Sequence, residues 1–305
     1  MVISYAKVSG FTYNGSGGNT AGVILPIDAT RVCEDARVRV AKDIGFSETV
    51  FVDEIVETER GLRIKLNYYT PEARVDICGH ATIACLGYLF EGGLLSGGKE
   101  RGKEGGAEGR AEGELELVCG RVKFEFVEGQ VFMQQIPVTV DNELESRSLI
   151  ALRECLNISE EDLDVSVFEP CVASTGLRDV QVCLKNEECL DGLAPDFVKM
   201  TALSETLDVV GVHVSVLCGE GRVKVRNFAP RYAIDEESAT GTSNCALAGV
   251  LGKRGGMEWG GVKTFEQGDG MGEPSRITVR LGGSESEPAW VGGKWKVVEN
   301  NSVLI

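Results

Sequence analysis

The chain contains the stretch Thr70-Pro71-Glu72-Ala73-Arg74-Val75-Asp76-Ile77-Cys78-Gly79-His80-Ala81-Thr82-Ile83-Ala84-Cys85-Leu86-Gly87-Tyr88-Leu89. A second stretch matches it in outline: Ala229-Pro230, then Ile234-Asp235-Glu236-Glu237-Ser238-Ala239-Thr240-Gly241-Thr242-Ser243-Asn244-Cys245-Ala246-Leu247-Ala248-Gly249-Val250-Leu251. Aligning Gly79 with Gly241 also aligns Gly87 with Gly249 and Leu89 with Leu251. Each reads as a strand, a proline, an acidic turn, a glycine and an Ala/Leu-rich helix. The repeat predicts two similar domains, each with a central helix.

The surrounding sequence is strand-rich. Val2–Ser9, Thr49–Val56, Leu62–Tyr69, Glu114–Val118, Val122–Val127, Val131–Val138, Val165–Phe168, Val180–Leu184, Val210–Leu217 and Ile277–Leu281 alternate or run apolar, as strands do. Helical periodicity covers Ala29–Lys42, Ala81–Glu91, Leu144–Leu156, Glu160–Leu163 and Ser243–Lys253. Regular strand–helix alternation is missing, so the class is α+β rather than a doubly wound parallel sheet. Between Gly92 and Gly113, nine glycines and eight charged residues fill 22 positions, a composition too polar to offset its ordering entropy. That segment is expected to be a surface insertion with no catalytic part. Domain boundaries are expected at 1–128, with a C-terminal strand 291–305 returning to it, and at 129–290.

Composition narrows the function classes. The 305 residues carry 31 Lys and Arg against 47 Asp and Glu, a net charge of −16, and no basic cluster of the kind phosphate binders need. Nucleic acid is therefore excluded as a partner, as are anionic membrane surfaces. No apolar run approaches 18 residues, and Met1–Lys7 lacks the features of a signal peptide, so a cytoplasmic location is expected. Ten irregularly spaced cysteines in a chain this long read as small buried hydrophobes, not as a disulfide framework. With two histidines and no C-x-x-C, no metal site is expected.

The repeated turns have a physical use. A helix N-terminus leaves N–H groups unpaired and carries partial positive charge, and glycine lets a ligand approach the backbone closely. Turns at Gly79 and Gly241 therefore suit a small carboxylate without requiring Lys or Arg. Glu48 sits among Phe46, Val50 and Phe51, where burial would raise its pKa and let it hold a proton near neutral pH.

Cys78-Gly79-His80-Ala81-Thr82 together with Ser238-Ala239-Thr240-Gly241-Thr242-Ser243 resembles the phenazine-biosynthesis PhzF-like family, of the diaminopimelate epimerase-like fold. Four further matches follow in family order. They are Gly18-Asn19-Thr20-Ala21-Gly22-Val23, Phe46-Ser47-Glu48-Thr49-Val50-Phe51-Val52, Arg226-Asn227-Phe228-Ala229-Pro230 and the late turn between Gln267 and Ser275. The resemblance implies two similar domains, each a curved, mostly antiparallel sheet or barrel around a central helix. It implies a cofactor-independent isomerase of biosynthetic type, with no metal, acting on a small carboxylate-bearing substrate, and often a homodimer. Glu48 maps onto the family's acid/base, and His80 and Glu237 onto its partners. Asn19, Cys78, Gly79, Ala81, Thr240, Gly241, Thr242 and Ser243 map onto substrate-binding turns. Departures are Glu237 for Asp, Ser238 for Pro, Thr20 for Pro and Glu273 for Arg, and they leave the substrate open.

Racemases of the same fold use one cysteine at each turn; here Cys78 holds one place and Thr240 the other. A hydroxyl is too weak an acid to serve as the second base, so two-thiol racemisation is excluded. A Cys78-dependent epimerase, racemase or dehydratase on an amino or imino acid stays open. So does a non-catalytic binding protein of the same fold.

Overall fold

The computed structural model describes residues 1–59, 61–95 and 111–304; most of the Gly/charge-rich segment expected to be a surface insertion, residues 96–110, lies outside the described residues. The chain divides into one unit of Met1–Gln134 with Gly292–Ile305 and a second of Gln135–Val291.

The first unit contains β1 (Val2–Thr12), β2 (Asn19–Ile24), α1 (Pro26–Ala29), α2 (Glu34–Ile44), β3 (Glu48–Thr58), β4 (Gly61–Tyr69), β5 (Arg74–Val75), α3 (Gly79–Glu91), β6 (Glu112–Leu117), β7 (Gly120–Val127) and β8 (Gln130–Gln134). The C-terminal strand Trp290–Leu304 pairs antiparallel with β1, β1 with β2, and β2 runs parallel to β3. Strand β4 then pairs with β3, β6 lies parallel to β4, and β6, β7 and β8 continue antiparallel. Strand β8 returns to the C-terminal strand, so the sheet closes. Closure leaves no edge to protect. Inside lies α3, with nine of its thirteen residues buried. A helix apolar on every side has no stable position except an interior.

The second unit contains β9 (Thr139–Glu143), α4 (Ser146–Leu156), β10 (Cys171–Ser174), β11 (Arg178–Leu184), α5 (Glu187–Asp191), α6 (Phe197–Leu207), β12 (Gly211–Leu217), β13 (Val223–Ala229), β14 (Ile234–Glu237), α7 (Gly241–Arg254), β15 (Val262–Gln267) and β16 (Ser275–Arg280). Its strand order is β9-β10-β11-β12-β13-β15-β16, with β11–β12 and β13–β15 parallel and the rest antiparallel. From β10 onward that is the pattern of β1 to β7, parallel pairs included, with β9 in the place of the C-terminal strand. Ten of the fourteen residues of α7 are buried. On the other face of the sheet, Val180, Val182, Val212, Val214 and Phe228 pack with Leu152, Met200 and Leu203 of α4 and α6. Strand β11 is therefore covered on both faces, which is why six of its seven residues are buried.

The α+β class expected from the sequence is the class observed. Several elements differ in detail. Val165–Phe168 is a turn and not a strand: Asp164 accepts hydrogen bonds from the Ser166 hydroxyl at 2.5 Å and, through its carbonyl, from Val167 N–H at 3.2 Å. The helix expected at Ala29–Lys42 splits into α1 and α2, because Cys33 takes an extended conformation and caps a new start. The strand expected to reach Val138 stops at Gln134, ahead of Pro137, which has no N–H to give a ladder. Strands β2, β9, β10, β14 and β15 and helices α5 and α6 had no counterpart in the periodicity, and β13 is the strand that the repeat places before Pro230.

The aligned glycines have a packing role. A Cβ on Gly87 would lie 2.1 Å from the Trp295 ring, and one on Gly249 would lie 2.2 Å from Val138 Cγ1. Alanine in a helix usually gains stability over glycine. Here Gly249→Ala and Gly87→Ala are each expected to lose about 1–3 kcal/mol by overpacking. Denaturant unfolding measures this, and unchanged or higher stability refutes the packing role.

Candidate active site

At the start of α3 three side chains converge. Glu48 is the first residue of β3, delivered by a left-handed Gly45 (φ 81°) that ends α2. Cys78 is the N-cap of α3 and His80 stands in its first turn. His80 Nε2 lies 3.2 Å from Glu48 Oε2, with the two side chains 4% and 14% exposed. Cys78 Sγ lies 3.5 Å from His80 Nδ1. The turn is fixed from behind: the Thr82 hydroxyl donates to Cys78 O at 2.6 Å and meets Tyr68 OH at 2.7 Å. Strand β1 comes so close that a Cβ on Gly10 would lie 2.5 Å from His80 O. Asn19 is the cross-strand partner of Gly10, which places it at the same end, and Ala81 is fully buried.

The electrostatics correct one expectation. Burial does push the Glu48 carboxyl upward, but the charge of His80 and hydrogen bonds from His80, Ser47 and Cys78 outweigh it, and the pKa falls below its usual value. Burial opposes the His80 imidazolium, yet the adjoining Cys78 sulfur and Glu48 carboxylate carry it well above its ordinary value. Burial and the Glu48 charge raise the Cys78 thiol, against a smaller lowering by His80. These directions favour carboxylate and imidazolium at the Glu48–His80 contact, with burial and the Glu48 charge favouring the thiol form of Cys78. Among the described residues these three donors are the group of metal-ligating type that converges, all within 4.8 Å. A glutamate–imidazole–thiol set is of zinc-binding type, with Cys78 the member that would give up its proton to a metal.

The second set lies at the start of α7. Glu237 ends β14 and Thr240 is the N-cap, followed by Gly241, Thr242 and Ser243. The Thr240 hydroxyl donates to Glu237 Oε2 at 2.6 Å and accepts from Gln267 Nε2 at 3.0 Å. Gln267 Nε2 also donates to Glu237 O, while its Oε1 accepts from Thr240 N–H and from Asn244 Nδ2. The Thr240 hydroxyl is therefore held between two side chains. The Thr175 hydroxyl donates to Thr242 O at 3.1 Å, and Ser243 Oγ to Asp179 Oδ2 at 2.5 Å. Gln267, Asp179, Asn244 and Thr175 were not picked out as site residues from sequence. The available signal was polarity on a buried phase, as at Gln267 two residues beyond buried Phe265 in β15.

The two central helices share one further property. Neither Cys78 nor Thr240 caps its own helix with a side-chain hydrogen bond, whereas Asn186 and Asp196 do cap the outer helices α5 and α6. The first turns of α3 and α7 thus keep backbone donors of partial positive charge that their N-cap side chains do not satisfy. A separate groove of about 810 Å³ on the second unit, between α4 and α6, contains none of these residues.

Comparison with known proteins gives a consistent result. The family model described as phenazine biosynthesis-like protein matches residues 8–299. An uncharacterized isomerase of Deinococcus radiodurans is 33% identical, over 95% of this chain and 91% of its own. An uncharacterized isomerase of Salmonella typhimurium is 27% identical, over 92% of this chain and 91% of its own. The crystal structure of a Bacillus anthracis phenazine biosynthesis protein of the PhzF family superposes with a TM-score of 0.82, at 23% identity and over 100% of both chains. With a family model covering nearly all of its length, the chain belongs to the phenazine biosynthesis-like protein family.

Proposed function

We propose that the protein is a small-molecule isomerase that moves a proton between carbons of a carboxylate-bearing substrate, with Glu48 as general acid/base. The observation that carries this reading is the buried Glu48–His80 pair at the uncapped start of α3. The isomerase names of the relatives from Deinococcus radiodurans and Salmonella typhimurium support it.

The chemistry follows from the charge states. A carbon acid beside a carboxylate or carbonyl is deprotonated slowly unless a base is held within hydrogen-bond reach in a partly dry site. Glu48 is ionised and largely shielded from water, so it is in the accepting state when substrate arrives. The His80 imidazolium holds that carboxylate in place and, once Glu48 has taken the proton, offers a second donor for the developing charge. Glu48 then returns the proton to another carbon. Such a shift leaves the oxidation level of the substrate unchanged, so redox chemistry has no part in it. The backbone donors at the start of α3, among them Gly79 and Ala81, serve the carboxylate, and Gly241 and Thr242 at the start of α7 offer donors of the same kind. Asn19 stands beside the first of these turns, and Glu237 holds Thr240 at the second.

A second reading rests on the Cys78 contact with His80 at 3.5 Å: a thiol whose proton passes to His80 while His80 gives its own to the Glu48 carboxylate, leaving the thiolate as base. Deuterium uptake at carbon separates the two. Protein in heavy water with a panel of small cyclic and acyclic amino and hydroxy acids is analysed by mass spectrometry. Glu48→Gln is expected to lose about 10²–10⁴-fold in exchange rate, and Cys78→Ala less than about tenfold. The opposite pattern assigns the chemistry to the thiol. Binding without exchange on any member would make the protein a binder of the same fold.

The pH dependence has a definite sign. A depressed Glu48 loses its basic form only below its ordinary value of 4.5, and a raised His80 loses its charge only above 6.5. Exchange is therefore expected to stay level between those values and to fall on both sides. With two histidines in the chain, NMR titration is unambiguous. Buried His213, lowered to about 4, is expected to titrate far below His80, and Glu48→Gln is expected to lower His80. A His80 that titrates at or below 6.5 overturns the ion pair.

A further inference from the structure

The two units can be aligned residue by residue through their strand registers. In the first, Ala21 faces Glu48, Thr49 faces Tyr69, Tyr68 faces Val75, and Gly79 follows four residues later. In the second, Asp179 faces Gly211, Val212 faces Phe228, Asn227 faces Glu237, and Gly241 again follows four residues later. The counterparts of Glu48 and His80 are thus Gly211 and Thr242. No acid fits at Gly211, where even a Cβ would lie 1.8 Å from Phe228 O. An acid is nevertheless present at the start of α7, one strand over. Asp179 and Ser243, hydrogen-bonded at 2.5 Å, occupy the places that Ala21 and Ala81 hold in the first unit.

All four of these residues are essentially inaccessible, Asp179 at 1%. The fold therefore closes this corner equally well with two alanines, and a carboxyl group is not needed for packing. Among the described residues no Lys, Arg or His pairs with Asp179. Buried carboxylates are ordinarily paired, and unpaired ones cluster at functional sites.

We propose that Asp179 couples the capture of a carboxylate at the first turn of α7 to the uptake of one proton. This rests on the assignment of that turn as a carboxylate-holding element. When ionised, Asp179 places a negative charge against the positive end of α7 and opposes an incoming carboxylate; when protonated, it leaves that end to the ligand while still meeting Ser243. Asp179 is a positioning residue here, not a catalytic one.

The surrounding groups keep their charge through the relevant range. Burial raises Asp179 to about 6, against lowering by the Ser243 hydroxyl and Gly211 N–H. On the flanking elements, His213 of β12 is neutral above about 4, Cys171 of β10 is a thiol to about 11, and Cys245 of α7 is raised further. Arg178 turns away to an exposed pair with Asp141. Ligand affinity should therefore fall as pH rises through about 6.

The test uses L-proline, L-serine and L-lactate as carboxylate probes, titrated by NMR at pH 5.5 and 7.5, with calorimetry in two buffers of different ionisation heat. Wild type is expected to lose about tenfold in affinity between the two pH values and to take up a proton on binding. Asp179→Asn is expected to bind equally at both and to take up none. Asp179→Ala with Ser243→Ala rebuilds the corner of the first unit, so it should fold, and whatever affinity it keeps should not change between the two pH values. Wild-type protein labelled at aspartate carboxyl carbons should show one midpoint near 6 that is missing in Asp179→Asn. An Asp179 midpoint near 4, a pH slope that survives both variants, or no binding of any probe at pH 5.5 overturns the proposal. Its failure leaves the Glu48 reading untouched, because that reading stands or falls on exchange in Glu48→Gln.

Discussion

A helix buried end-first inside a sheet has to place the unpaired N–H groups of its first turn somewhere. Both central helices face this constraint, since α3 and α7 have no polar side to turn toward water. Neither N-cap side chain resolves it. The residues around each start instead form a second layer: Thr82 and Tyr68 behind Cys78 in one, Gln267 and Asn244 behind Thr240 in the other. The supports hold the backbone of the turn and leave its outward donors available. The proposed carboxylate site, in a chain of net charge −16, thus relies on backbone donors and needs no lysine or arginine.

The duplication was legible because glycine and periodicity mark it. Gly79 and Gly241 open the helices, while Gly87 and Gly249 allow Trp295 and Val138 to pack against them, and no larger residue fits there. The central helices, apolar on all sides, were equally readable. Strands such as Cys171–Ser174 and Asn19–Ile24 were not, because they are short and carry no period-two alternation. Local turn chemistry also overrode apparent strand content, as at Asp164 and Ser166, where a side-chain hydrogen bond fixes the backbone.

The site was legible only in its residue types. Glu48, Cys78 and His80 could be named from motifs, but the charge on Glu48 depends on a partner 32 positions away in sequence and 3.2 Å away in space. Burial alone argues for a protonated glutamate; burial beside an imidazole argues for an ion pair. Composition shows the first and hides the second. Asp179 was missed for a related reason. It lies at the edge of the apolar run Val180–Leu184, where an acid looks like the solvent end of a strand, and only the register with β12 and α7 shows it to be buried.

The two units have kept one topology and specialised in different directions. The first places its acid on β3, within reach of a histidine that can carry charge; the second bars that position with Gly211 and carries its acid on β11 against a serine that cannot. A carboxylate paired with imidazolium stays ionised and is suited to accepting a proton from carbon. A carboxyl group held by a hydroxyl in a dry corner has its two protonation states close in energy near pH 6, and is suited to responding when another negative charge arrives. In the proposed function one scaffold yields a base and a charge-sensitive support from the same residue class, and the difference lies in what the first turn of the adjoining helix offers as a partner.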